Sequence, residues 1–440
     1  MLSPARKLVP ALALLVPALV RGQTLPDRPS IPELDPLIAE ALANHPEVAA
    51  ANASMEAAHA RIRQAAALPD PTVTLTYQND GYRPESPGAT DDTWLGVSAE
   101  QMLPFPGKRK LAVEIAGHAA SEAGYPASRA RLSLEAETRR AFTDLLLARE
   151  LISLLDEQEA TWNQIEAATR ARYSVGLGAQ QDVLRAQAER TRLSPMRYHE
   201  QGNEEAAIAA LNRLMGRPAG TPIPTPRRLS EVVSGERPLP LPDLAGLERL
   251  AEEGSPELAM ARVVIARSRL EVDLAKKNLN PDFVASAAYM NRGSTPPMWS
   301  VGLGVVLPVF RGQKQRQGIV EAEARLRAAE AEERALRLAL RASLEKDLAE
   351  LRGAVREVEP YAKGVLVQDR LSVQSALANY EAGKVPFVTV LEALSTLFSD
   401  RRDYTDRLAH VLWHEASLRK LAPAERIAPA APGWGAPSMN

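Results

Sequence analysis

The sequence predicts a mainly α-helical protein with a membrane β-barrel part, built from a duplicated helix–β-hairpin–helix unit. Three observations carry that prediction. The first is an internal echo. ARYSVGLGAQQDVLRAQ at 171–187 returns as ANYEAGKVPFVTVLEAL at 378–394, so that Tyr173 matches Tyr380 and Gly176 matches Gly383 at one shift of 207 residues. The second is a set of stretches of about ten residues with alternating apolar and polar side chains, the length a tilted transmembrane strand needs. The third is a pair of Ala-, Leu-, Glu- and Arg-rich helical tracts longer than an ordinary globular domain uses.

Composition narrows the classes. The chain has 440 residues, a net charge of −2, 5% aromatic residues and no cysteine. Near-balanced charge argues against a nucleic-acid binder working from a basic surface. Without cysteine there are no disulfides, no thiolate catalysis, no Cys-based metal site and no lipidated N-terminal cysteine.

The elements follow in order. Arg6 and Lys7 precede an apolar run from Leu8 to Val20, which is short for a membrane span and suits a secretory signal, so 1–22 is expected to be a signal peptide. Removing Arg6, Lys7 and Arg21 takes the net charge from −2 to about −5. No later segment is a transmembrane-helix candidate, so a membrane-embedded form must be a closed barrel.

The first repeat is expected over 23–216. Residues 33–68 read as helix. PTVTLTYQN follows, with Val73, Leu75 and Tyr77 on one face and Thr72, Thr74 and Thr76 on the other, giving a strand at about 71–80. A Gly/Pro/Asp-rich loop leads to a second strand at about 93–104. Lys108 to Arg172 then reads as a helix of about 97 Å, ending at a hairpin tip at about 174–180. The helix over 180–216 spans about 55 Å, and 33–68 about 54 Å, so the two shorter helices stacked end to end match the long one.

A Pro-rich linker is expected at 217–241. The second repeat, 242–422, copies the first: strands at about 282–291 and 299–308, a helix of about 103 Å over 313–381, a tip at about 382–386, and a helix of about 54 Å over 386–421. Pro46 and Pro256 correspond at a shift of 210, as do Pro71 and Pro281. A period this long is a duplicated domain, not a short solenoid repeat. Trp94, Trp299, Tyr77 and Tyr289 lie toward strand ends, where interfacial aromatic girdles sit. An ordinary soluble hairpin is the plain alternative for any one of these strands.

The helices carry a coiled-coil seam: Leu145, Ala148, Ile152, Leu155 and Trp162 in one, Leu394, Leu397, Tyr404, Leu408, Val411 and Leu418 in the other. Pro126 and Pro360 predict kinks, not ends, because helical composition continues past both. Residues 423–440 read as a disordered tail.

With its duplicated layout, Tyr-x-x-Gly before each turn and Val175-Gly176-Leu177 in the first, the chain to about residue 422 resembles the TolC-type outer-membrane factors. LPFPGKR at 103–109 and YEAGKVPFVTVLEA at 380–393 are most similar to the branch that serves resistance-nodulation-division (RND) pumps for heavy metals. The resemblance implies a homotrimer in the outer membrane. Each chain gives four strands to a shared 12-stranded barrel, and the helices form a long periplasmic coiled-coil tunnel. It implies a periplasmic adaptor and an inner-membrane pump as partners, and an exit duct in efflux as the function. A type I protein secretion duct and a soluble periplasmic coiled-coil scaffold are the alternatives.

The same resemblance assigns the candidate site. Asp182 and Tyr380 correspond to gate positions, and Glu392 to a carboxylate ring lining the constriction; its plain alternative is a solvated helix residue. Val385 stands where some relatives carry an arginine, which leaves Lys384 as the nearest cation. The tips, Val175, Gly176, Leu177 and Gly178 in one hairpin and Gly383 and Val385 in the other, are where the family meets its adaptor. Glycine there also permits the φ > 0 step that reverses the chain.

His410 and His414 share a helical face with no third ligand apparent in sequence, and read as structural or surface histidines. No nucleophile–base set is found. The expectation is a non-enzymatic protein without cofactor, metal or nucleic-acid partner.

Overall fold

The computed structural model describes residues 31, 33–80, 82–225, 228–233 and 242–423. The expected signal peptide and nearly all of the expected tail lie outside them. The first repeat comprises α1 (Leu34–Asn44), α2 (Pro46–Ala66), β1 (Thr72–Gln78), β2 (Trp94–Leu103), α3 (Lys108–Glu122), α4 (Tyr125–Ser174) and α5 (Gln180–Met215). After α6 (Leu229–Val233), the second comprises α7 (Leu244–Gly254), α8 (Pro256–Lys277), β3 (Asp282–Arg292), β4 (Thr295–Val306), α9 (Gln315–Pro360), a π-helical turn (Tyr361–Val365), α10 (Leu366–Glu381) and α11 (Phe387–Leu421).

The four strands form one antiparallel sheet in the order β1-β2-β3-β4. Its register sorts the side chains. Val73 faces Ala99, Leu75 faces Val97 and Tyr77 faces Leu95. Val97 in turn faces Tyr289, which faces Trp299. Ala99 faces Ala287, which faces Val301. Directly opposed residues share a face, so one side of the sheet is largely apolar, with Gln101 and Asn291 toward its two ends and Val301 72% and Leu303 84% exposed in the single chain. The other side carries the pairs Thr74–Ser98, Glu100–Ser286 and Ala288–Ser300.

Trp94 departs from expectation. It pairs with Gln78 on the polar side, and its ring covers Gly96, where an added Cβ would come within 2.6 Å of it. Period two decides this: Trp94 is one residue out of phase with Leu95 and Val97. Tyr77, Tyr289 and Trp299 keep the apolar side. β4 also begins earlier than expected, at Thr295, and so includes Pro296 and Pro297. Proline is tolerated because both residues fall at the register shift between Met290 and Arg292, outside the regular ladder.

The helices are more segmented than the sequence suggests. The single helix expected at 33–68 breaks at His45, and the matching tract breaks at Ser255; both residues are extended, with ψ 127° and 119°. Each precedes a proline, whose ring excludes the helical conformation from the residue before it. Ser255 also caps α8 through its hydroxyl, which accepts from the Leu258 N–H at 3.3 Å. Near Pro126 the helix is interrupted between Glu122 and Tyr125, although Ala123 and Gly124 keep right-handed helical dihedrals. At Pro360 the helix passes into the π turn, the relaxation that lets a helix continue past a lost hydrogen bond.

Two cores hold the helices together. One lies where α1, α4, α5, α6, α9 and α11 converge, and includes Leu34, Phe142, Leu211, Leu344 and Val411. Described residues of the stretch expected as a linker belong to this core: Ile223, Leu229 and Val233 are buried in it. Arg149 fixes that stretch by donating to the Ile223 carbonyl at 2.9 Å while pairing with Glu204 at 2.7 Å. The second core runs toward the hairpin tips and includes Leu155, Trp162, Ala186, Phe387 and Leu394. Most seam residues are buried; Ile152, Leu397 and Tyr404 are only half-buried. Leu151 and Leu154 are buried as well, since α4 packs against both α5 and α11.

At the junction of sheet and helices, Lys108 is nearly buried and pairs with Asp282 at 2.8 Å. Asp282 also accepts from the Phe105 N–H at 2.7 Å. The lysine of LPFPGKR thereby locks the start of β3 to the start of α3.

Candidate functional site

Each hairpin tip is built the same way. At the end of α4, the Gly176 N–H donates to the Tyr173 carbonyl at 3.0 Å and the Leu177 N–H to the Arg172 carbonyl at 2.9 Å. At the end of α10, the Gly383 N–H donates to Tyr380 at 2.9 Å and the Lys384 N–H to Asn379 at 2.8 Å. These are paired Schellman bonds, which need a left-handed residue just past the helix. Gly176 supplies it at φ 76° and Gly383 at φ 72°. Tyr-x-x-Gly therefore recurs as the frame of one capping motif.

The tips differ in what surrounds them. Tyr173 is 47% exposed, whereas its counterpart Tyr380 is 7% exposed. The Tyr380 hydroxyl donates to Asp182 Oδ2 at 3.2 Å, joining the second hairpin to the start of α5 in the first. Its ring leans on Phe387, with centroids 5.4 Å apart. Burial pushes the phenol pKa up, and the charge and hydrogen bond of Asp182 push it further, against a smaller opposing effect of Arg172. Tyr380 is thus held in its protonated, donating form.

Arg172 is the residue that sequence reasoning missed. Its guanidinium lies 4.9 Å from the centre of the Tyr380 ring. It donates to the Glu381 carbonyl at 2.6 Å in the other hairpin and to Leu177 at 3.3 Å in its own. The cation beside the tyrosine therefore comes from the first hairpin, not from Lys384, which is exposed. A trace of this exists in the echo: at the shift of 207, Arg172 falls on Asn379, so the charge belongs to one repeat only.

Val175 and Leu177 are exposed, Gly178 packs against Arg172 and Tyr173, and Val385 is half-buried against the core below the tips. Glu392 is exposed on α11, with Thr389 half-buried beside it. Farther up the second hairpin, burial raises the Asp369 carboxyl above its usual range, and its hydrogen bond with Asp400 adds to that. A carboxyl raised in the fold takes up a proton that the unfolded chain releases. The pair therefore contributes stability at acid pH, lost as pH rises through the raised value. Asp369→Asn is expected to flatten that slope, read as the unfolding midpoint across about pH 4 to 7; an unchanged slope would place the effect elsewhere.

No helix among the described residues is long and apolar enough to cross a membrane. The family described as Outer membrane efflux protein matches residues 37–217 and 247–423, one segment in each repeat. The chain is 28% identical over 323 residues to the fusaric acid resistance protein FusA of Burkholderia cepacia. That match covers 67% of this chain but only 59% of the relative, so the chain spans less than two thirds of that protein's length. It is 25% identical over 396 residues to the pyoverdine export outer membrane protein OpmQ of Pseudomonas aeruginosa, covering 84% of this chain and 80% of the other. Its fold is similar to the solved structure of CusC, with a TM-score of 0.77 at 18% identity over 89% of this chain and 92% of that one. The duplicated layout, the four-stranded sheet and the family match over both repeats agree: the chain belongs to the outer membrane efflux protein family.

Proposed function

We propose that this chain is the outer-membrane exit duct of a tripartite export system, a homotrimer that works as a passive conduit gated at its periplasmic end. The observation that carries this reading is one sheet with a largely apolar face and two open edges, β1 and β4. An unpaired edge is not viable in hydrocarbon. Three copies joined edge to edge give twelve strands, enough to leave a lumen. The polar side then lines the pore, and the helices extend it into the periplasm, where the tips meet an adaptor.

Extraction and assembly test this. The protein is expected to need detergent and to run as a trimer. Val301→Arg on the apolar side is expected to cost about 2–4 kcal/mol of barrel stability at the bilayer midplane. Ser300→Arg, on the polar side, is expected to leave the trimer intact. A monomer in the soluble periplasmic fraction, or equal effects of the two substitutions, would refute the barrel.

The cargo is set by the inner-membrane pump, which we propose to be of the RND type. The names of the two relatives, fusaric acid resistance and pyoverdine export, support small-molecule efflux. The elements at 103–109 and 380–393 support heavy-metal cations as one class of cargo. Glu392 is proposed to face the lumen, where threefold symmetry makes three carboxylates and favours cations. Glu392→Gln is expected to weaken cation preference in planar bilayers; an unchanged reversal potential in a salt gradient would make it a solvated helix residue.

A further inference from the structure

We propose that Asp347, Glu350 and His414 form a binding site for a first-row divalent cation of borderline softness, bridging α9 to α11. Asp347 and Glu350 lie three apart on α9, so they project from one helical face. His414 reaches them from α11, and one ligand atom from each of the three lies within 4.8 Å of the others. The Nδ1 of His414 is 3.3 Å from Oε2 of Glu350.

The sequence shows only His410 and His414, a pair without a third ligand. Packing of the two helices brings the carboxylates alongside. Buried apolar side chains flank them: Leu344, Leu348 and Leu351 on α9, Val411 and Leu418 on α11. The ligands thus stand on rigid elements, the condition for a preformed site. Ser417 donates its hydroxyl to Asp347 Oδ2, which orients that carboxylate. His410 lies one turn before His414 on α11, with ring centroids 6.2 Å apart, and is not one of the three ligands.

Charge favours occupancy. Two carboxylates share one imidazole, and Lys346, 3.9 Å from Glu350 Oε1, is an exposed side chain. One nitrogen and two oxygen donors suit Zn²⁺, Co²⁺, Ni²⁺ or Cu²⁺ over Mg²⁺ or Ca²⁺, which prefer oxygen alone. Three protein ligands leave further positions for water. The ion would clamp the two helices at the core where both repeats converge, remote from the hairpin tips.

The test uses the detergent-solubilised full-length protein, stripped with chelator and titrated with Zn²⁺ by calorimetry. One ion per chain is expected, uncompeted by excess Mg²⁺. His414→Ala and Glu350→Gln are each expected to weaken binding by about tenfold or more, and His410→Ala to leave it unchanged. With Cu²⁺ as probe, electron paramagnetic resonance is expected to show coupling to one imidazole nitrogen, lost in His414→Ala. Glu350 is exposed, so its variant is read even if His414→Ala folds poorly. No saturable binding, equal competition by Mg²⁺, or unchanged affinity in Glu350→Gln with the copper signal retained in His414→Ala would each overturn the proposal.

Discussion

Replacing Tyr380 by phenylalanine and Asp182 by alanine is expected to raise the single-channel conductance of the reconstituted duct. Their hydrogen bond joins the two hairpins of one chain at the tips, and three copies would hold the periplasmic end narrow. A hydrogen bond to a charged group contributes about 1.5–3 kcal/mol when shielded from water. At 3.2 Å the Tyr380–Asp182 bond is longer than a strong charge-assisted one, so about 1.5 kcal/mol is the fitting figure, close to a tenfold change in the closed-to-open ratio per chain. Arg172→Ala is expected to act in the same direction, because it removes the bond to the Glu381 carbonyl and the cation over the Tyr380 ring. Arg172→Lys is expected to fail as a rescue, since an ammonium cannot match the planar fork that reaches carbonyls in both hairpins. Wild-type conductance in all of these variants would move the gate to another level of the tunnel.

Gly176→Val and Gly383→Val are expected to abolish export while the trimer still assembles. Both positions have positive φ, and nothing lies within 4 Å of a Cβ placed on Gly176. The cost there is conformational, about 1–3 kcal/mol at each turn, and worst for a β-branched side chain. Gly176→Asn is the control: asparagine tolerates the left-handed region, so it should keep the turn and most of the export. Leu177→Asp separates folding from docking. It leaves the turn geometry alone and places a charge on the exposed apolar tip, so adaptor crosslinking should fall without loss of the trimer. Normal crosslinking in both Gly176→Val and Leu177→Asp would reduce the tip to a chain reversal.

Much of this architecture is a property of local sequence. The duplicated order of elements, the alternation in β1 and β4 and the glycines of both tips are legible because each depends on a short-range rule: period two, helical composition, or a backbone angle open to glycine. The same rules place Trp94 on the polar side and break the helices before Pro46 and Pro256, so those departures were written in the chain as well. Packing across the repeats is another matter. Nothing near Tyr380 in sequence indicates that it is buried while Tyr173 is exposed, or that Arg172, 208 residues earlier, supplies its cation. Nor does any local pattern bring Asp347 and Glu350 to His414, or draw Ile223 and Leu229 out of a proline-rich connector into a core. Those contacts arise when long amphipathic helices choose partners, and the choice is made by apolar area and shape summed over many turns. A short motif carries too little of that sum to show it; the tertiary structure decides which two of many similar faces meet.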